Sequence, residues 1–128
     1  MRKTALPFIA LFLTLLAGIP AALAAAEPAK EDAALSAKLM AAIVKPDYEA
    51  FVADGEDAFK QLRKEQFEAF AAKIGPKLAA GHQFTYLGEL KQKGYRVTLW
   101  KISFPDGSDD LVASLSVKDG KVGGFFIR

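Results

Sequence analysis

Residues 111–127 read LVASLSVKDGKVGGFFI. Apolar and polar side chains alternate on both sides of Asp119-Gly120, the period of a half-buried strand. Asp-Gly is the pair favoured by a two-residue type I′ turn, in which both central residues take positive φ. That turn sets a register in which Val117 faces Val122, Leu115 faces Gly124 and Ala113 faces Phe126. Working upstream, Pro105-Asp106-Gly107-Ser108 turns another pair of strands and places Trp100 opposite Ala113 and Thr98 opposite Leu115. Gln92-Lys93-Gly94, read as a three-residue loop with Gly94 left-handed, sets Leu90 against Arg96 and Tyr86 against Trp100. Four antiparallel strands follow, near residues 82–90, 95–104, 110–118 and 121–127.

These registers gather Phe84, Tyr86, Leu90, Trp100, Ile102 and Phe126 on one face, with Ala113, Leu115, Val117 and Val122 between them. The small residues Gly88, Thr98, Ala113 and Gly124 leave room in its middle for a close helix or a pocket. The opposite face mixes Leu87, Val97, Leu99 and Val112 with Lys101, Ser114 and Ser116, and Glu89 points outward with them. So much apolar surface there suggests a second copy or a partner.

The inner face needs a cover, and the preceding sequence supplies helices. Leu35, Leu39, Ala42 and Ile43 recur at helical spacing, with Glu31, Asp32 and Lys38 on the surface, until Lys45-Pro46-Asp47 ends the run. Asp47 caps a short second helix carrying Tyr48, Phe51 and Val52, and Gly55 stops it. A third helix, capped near Asp57, carries Phe59, Leu62, Phe67, Phe70 and Ile74 until Gly75-Pro76 breaks or kinks it. Helices first and sheet second make the chain α+β, with N-terminal helices packed on a curved four-stranded antiparallel sheet.

The first residues form an address. Met1-Arg2-Lys3-Thr4 is a positive start, Ala5–Ala26 is uncharged and rich in Leu, Phe, Ile and Ala, and Ala22-Leu23-Ala24 offers small residues at alternate positions. We read residues 1–24 as a cleaved signal peptide, with cleavage after Ala26 the close alternative. Residues 25–32 then form a flexible lead-in and residues 33–128 the domain, delivered to the periplasm or the outside of the cell. An uncleaved span is the competing reading, since about 20 apolar residues cross a bilayer. No cysteine occurs in the 128 residues, so no disulfide, thiolate metal site, cysteine nucleophile or lipidated cysteine is available.

Arg2 and Lys3 are the only charges ahead of Glu27, so the chain beyond the leader keeps 15 of its 17 basic residues against 15 acidic ones. A balanced surface offers no basic field for nucleic acid or for anionic lipid.

In the order Asp47-Tyr48, the Phe67-to-Gly75 helix end, the Trp100-to-Phe104 strand and the closing run from Lys118 to Phe125, the chain resembles a secreted, uncharacterised branch of the nuclear transport factor 2-like superfamily, over roughly residues 33 to 128. The resemblance implies an α+β cone. In it a bent sheet wraps over helices around a hydrophobic cavity, and members often dimerise through the outer sheet face. The cavity lining expected here is Tyr48 and Phe51 from the second helix, Phe84, Tyr86, Arg96 and Trp100 from the first two strands, and Phe126 from the last.

Enzymes of that superfamily place a carboxylate or a His-Asp pair in the cavity. The inner face drawn here shows no carboxylate, and Asp106, Asp109, Asp110 and Asp119 sit in turns. His82, the one histidine, has no second histidine for a metal cluster and no paired acid to orient it. Arg96 aims inward, either to hold an anionic ligand or to pair with a helix carboxylate such as Glu65 or Glu68. The sequence therefore points to an exported, non-enzymatic domain that binds a small apolar or amphipathic ligand or a protein partner, without catalytic residues, cofactor, metal or nucleic acid. Two alternatives stand beside it. One is a small isomerase or cyclase using His82 or Tyr86 with Arg96; the other is a structural dimer whose cone is filled.

Overall fold

A computed structural model describes residues 26–128; the expected leader lies outside these residues. The chain is α+β. Helix α1 (Lys30–Val44), helix α2 (Tyr48–Val52), a 3-10 turn (Phe59–Gln61) and helix α3 (Lys64–Ala79) precede strands β1 (Gln83–Gln92), β2 (Tyr95–Ser103), β3 (Leu111–Lys118) and β4 (Lys121–Ile127). The strands form one antiparallel meander in the order β1-β2-β3-β4. Helix α1 begins at Lys30, inside the segment read as a flexible lead-in. Glu31 and Asp32 occupy its first turn, where the helix dipole favours negative charge.

Asp47 caps α2 as expected, its carboxylate accepting from the Ala50 N–H at 3.1 Å. The single third helix expected from Asp57 is instead two pieces. Leu62 is extended, with φ −57° and ψ 125°, and the Tyr48 hydroxyl takes up the Leu62 carbonyl that the break releases. The chain re-enters a helix after Arg63, whose N–H donates to the Gln66 side chain at 3.3 Å.

Gly75-Pro76 does not stop α3, which runs on to Ala79. Proline forfeits one bond near the end of a helix, and the added turn places Leu78 fully inside the core. Gly75 is required for a different reason. A Cβ there would lie 2.9 Å from the Ile43 carbonyl oxygen, so its absence lets α3 cross α1 at backbone distance.

The core lies between the helices and one face of the sheet. Ile43, Phe67, Ile102, Leu115 and Val122 are among its most enclosed large apolar side chains. The central hairpin keeps the expected register, Trp100 opposite Ala113 and Thr98 opposite Leu115. Both outer strands depart from it by one residue.

In β1 the turn is a two-residue loop, Lys93 at φ 53° and Gly94 at φ 84°, and the extra residue sits within the strand as a bulge between Tyr86 and Gly88. Tyr86 still meets Trp100, but Leu90 pairs with Val97 and points outward, while Glu89 pairs with Thr98 and points inward. In β4 a bulge at Gly123 does the same. Leu115 faces Phe125 and Ala113 faces Ile127, not Gly124 and Phe126. Phe125 is therefore buried at 7 % exposure, and Phe126 faces out at 57 %.

Candidate functional site

Two sites stand where one cavity was expected. The first is a packed aromatic group on the inner face of β1 and β2. Phe84 stacks on Trp100 with centroids 4.7 Å apart and planes 5° from parallel, and Tyr86 meets the same indole edge-on at 5.3 Å. The indole N–H donates to the Thr98 hydroxyl at 3.1 Å, so the buried tryptophan is satisfied within its own strand. These three rings fill one another's space.

At the far end of the same hairpin lies an ion cluster. Arg96 points inward as expected, but its partners come from α1 and not from α3. Its Nε donates to Asp32 Oδ2 at 2.7 Å, and its terminal nitrogen donates to Asp32 Oδ1 at 2.8 Å and Glu31 Oε2 at 2.9 Å. Asp32 is 0 % exposed, which overturns both its surface placement and the expectation of an interior free of carboxylates. Glu89 adds a weaker contact, 3.9 Å from Arg96 Nε. The Asp32 hydrogen bonds hold the guanidinium well above its already high ordinary pKa, against the desolvation that pulls it down.

This planar, bidentate pairing fastens the first turn of α1 to β2, and both Asp32 oxygens are occupied by it. His82 lies at the opposite end of the hairpin and donates from Nδ1 to the Leu78 carbonyl at 2.9 Å. The fold thus does not bring His82 and Arg96 together. Among the described residues, no group of three or more His, Asp or Glu side chains is arranged to hold a metal ion.

The second site is an apolar cleft of about 540 Å³ between β4 and the segment that leads into α3. Phe51, Phe67 and Phe125 form its floor, Phe59 and Phe70 its wall, and Gln61 and Gln66 supply polar groups. Phe51 organises the floor, packing on Phe67 at 4.8 Å, Phe59 at 5.5 Å and Phe125 edge-on at 6.3 Å. None of the residues lining the cleft carries a titratable side chain.

The break at Leu62 creates this space. Residues 54–56 run beside β4, then the chain turns away into the 3-10 turn and leaves a gap before α3 closes over the core. Of the seven residues expected to line a cavity, Phe51 and Phe126 border this cleft. Tyr48 packs behind it on Phe67 at 6.0 Å, and Phe84, Tyr86, Trp100 and Arg96 belong to the aromatic group and the ion cluster. The spacing of Phe59, Phe67 and Phe70 fits a helix core, and a helix continuous through Leu62 leaves no gap for them to border.

No family model matches the chain, and no curated protein sequence matches it. Among solved structures it is similar to TerC co-crystallized with polyporic acid, with a TM-score of 0.43 and 14% identity over 77% of this chain and 91% of that one.

Proposed function

We propose that the chain is an exported, non-enzymatic domain of the nuclear transport factor 2-like kind. Its cleft beside β4 takes a small apolar or amphipathic ligand or the apolar part of a protein partner. The observation that carries this reading is the lining: six phenylalanines, two glutamines and no acid or base in a space of about 540 Å³. Such a site can gain free energy by removing apolar surface from water, and it can orient a polar group through an amide, but it holds no group able to move a proton. The cone assignment draws support from the order of three helices followed by a four-stranded antiparallel meander. Export is supported by the sequence of residues 1–26. The outer sheet face, with Leu87 and Leu90 exposed, is where a homodimer would form.

Native mass spectrometry of the purified chain tests copy number and retained ligand together. We expect a bound small molecule, or uptake of a fluorescent apolar probe such as anilinonaphthalene sulfonate that is abolished by Phe70→Arg with the circular dichroism spectrum unchanged. Probe binding that survives Phe70→Arg removes the cleft from consideration. N-terminal sequencing of the exported protein should begin at Ala25 or Glu27, and an intact Met1 overturns cleavage in favour of an uncleaved membrane anchor.

A further inference from the structure

The cleft borders an unfinished sheet edge. Val112 and Arg128 exchange backbone hydrogen bonds, the Val112 N–H donating to the Arg128 carbonyl at 2.8 Å and the Arg128 N–H to the Val112 carbonyl at 3.0 Å. In an antiparallel ladder such exchanges alternate, so Phe126 and Gly124 turn their backbone groups toward β3 and Ile127 and Phe125 turn theirs away. Among the described residues no other segment's backbone reaches the outward N–H and C=O groups of Phe125 and Ile127.

Three residues before Phe125, across the Gly123 bulge, the same edge is already paired. The Val122 N–H donates to the Asp54 carbonyl and the Glu56 N–H donates to the Val122 carbonyl, each at 2.8 Å, which makes a parallel bridge between Gly55 and Val122. The chain's own pairing along this edge therefore stops at one bridge beside Val122, because residues beyond Glu56 leave for the 3-10 turn.

The two edges of the sheet also differ in how they are guarded. Edge strand β1 is broken by a bulge at Gly88 and carries Glu89 and Lys91. Beyond its own bulge, from Gly124 to Ile127, edge strand β4 carries no charge and three large apolar side chains. Charge and bulges are how exposed edges avoid unwanted pairing; β4 has its bulge at Gly123, but the stretch beyond it keeps neither.

We infer that the cleft is a strand-addition site: it takes an extended peptide segment of a protein partner, which continues the pairing begun by residues 54–56 along Phe125 and Ile127. The segment carries apolar side chains at alternate positions. One set enters the space bordered by Phe59, Phe67 and Phe70, the other lies on the exposed Phe126 ring, and neither includes proline where an N–H must face β4. The inference rests on the reading of the cleft as a binding site and names the chemistry of its occupant.

The test starts from a peptide enriched against the purified chain from a random-peptide display library. It is synthesised unmodified and in two backbone N-methylated forms, one for each set of alternate residues. We expect one N-methylated form to bind roughly tenfold more weakly while the other binds as the parent does, since only one set of amides faces β4. In an ¹⁵N-labelled chain the Phe125 and Ile127 amide protons should shift and exchange with solvent roughly tenfold more slowly.

Equal binding of both methylated forms, or no enriched peptide at all, overturns strand addition. If anilinonaphthalene sulfonate still enters in those cases and competes with nothing at Phe125 or Ile127, the cleft stands as a plain apolar pocket. If neither peptide nor probe binds, both readings fall. Should the free chain have a dimer mass with these amides already protected, the edge belongs to a second copy and the inference is also overturned.

Discussion

The central hairpin and the two outer strands obey the same alternation, yet only the central one keeps its faces as a residue count assigns them. Strands β2 and β3 pair from Arg96–Val117 to Ile102–Leu111 without a register shift. Each outer strand holds one bulge, at Gly88 and at Gly123, and each bulge exchanges the faces of the residues beyond it. Central strands have neighbours on both sides and cannot absorb an extra residue without spoiling two ladders; edge strands spoil one. The consequence is a change of neighbours, because the bulges put Phe126 at the border of the cleft and Glu89 near Arg96.

The largest expected effect tests that contrast directly. Leu115 is fully enclosed, and Leu115→Ala should cost about 3 kcal/mol in urea or thermal unfolding. Phe126→Ala should change stability by less than about 0.5 kcal/mol, because its ring is already in water. Equal losses would mean that Phe126 packs inward and that β4 has no bulge.

A smaller contrast separates the two carboxylates nearest to Arg96 Nε. Asp32→Ala should destabilise by about 2 kcal/mol, below the full cost of breaking a buried pair because the arginine is one-third exposed and can turn to solvent. Glu89→Ala, at 3.9 Å from Arg96 and itself part-exposed, should cost at most about 0.5 kcal/mol. Reversed magnitudes would place the structural fastening on the bulged strand instead of on α1.

Much of this architecture could be read from residues alone, and the failures share a cause. The Asp-Gly turn, the Asp47 cap, the strand limits and the Tyr86–Trp100 and Trp100–Ala113 pairs all follow from local chemistry: a positive φ, a side-chain acceptor, a period of two. The one-residue bulges do not, since the same alternation fits with the extra residue in the loop or in the strand. Gly88, at φ 156°, and the pair Gly123-Gly124 are the available signals, but small size alone makes Gly88 and Gly124 look like residues that open space. The burial of Asp32 is not legible locally, because a charged residue in a first helical turn is ordinarily solvated and only Arg96, aimed inward from a distant strand, compensates it. The cleft was invisible for a related reason: it depends on Leu62 leaving the helix, and the hydroxyl that stabilises the break belongs to Tyr48, fourteen positions earlier.

The two bulge glycines should respond differently. A Cβ at Gly123 would lie 2.4 Å from the Tyr95 ring, whereas one at Gly88 meets nothing within 4 Å and only a backbone conformation that side chains avoid. Gly123→Ala should therefore cost about 1.5 kcal/mol and Gly88→Ala about 1 kcal/mol, and only the former should move the Tyr95 resonances. Identical spectra for the Gly123 variant and the parent would show that the Tyr95 ring does not lie over the β4 bulge.

The smallest effect is a titration that reports on that same ring. Tyr95 crosses the β4 bulge to donate its hydroxyl proton to both oxygens of Glu56, at 2.7 and 2.9 Å, in the segment that bridges Val122. The bond to a carboxylate, more than desolvation, raises the phenol above its ordinary pKa, because ionisation would both remove the donor and bring two negative charges together. A raised folded value means that the neutral phenol favours the folded chain. Its contribution is complete below the unfolded value of about 10 and fades as pH rises through the higher folded value. Phenolate absorbance, taken as the difference between the parent and Tyr95→Phe, should place Tyr95 above the ordinary range, and Glu56→Gln should bring it down. A Tyr95 that ionises at the same pH in both backgrounds would mean that residues 54–56 are not held against β4 by this contact, and the edge beside the cleft would then begin earlier than Phe125.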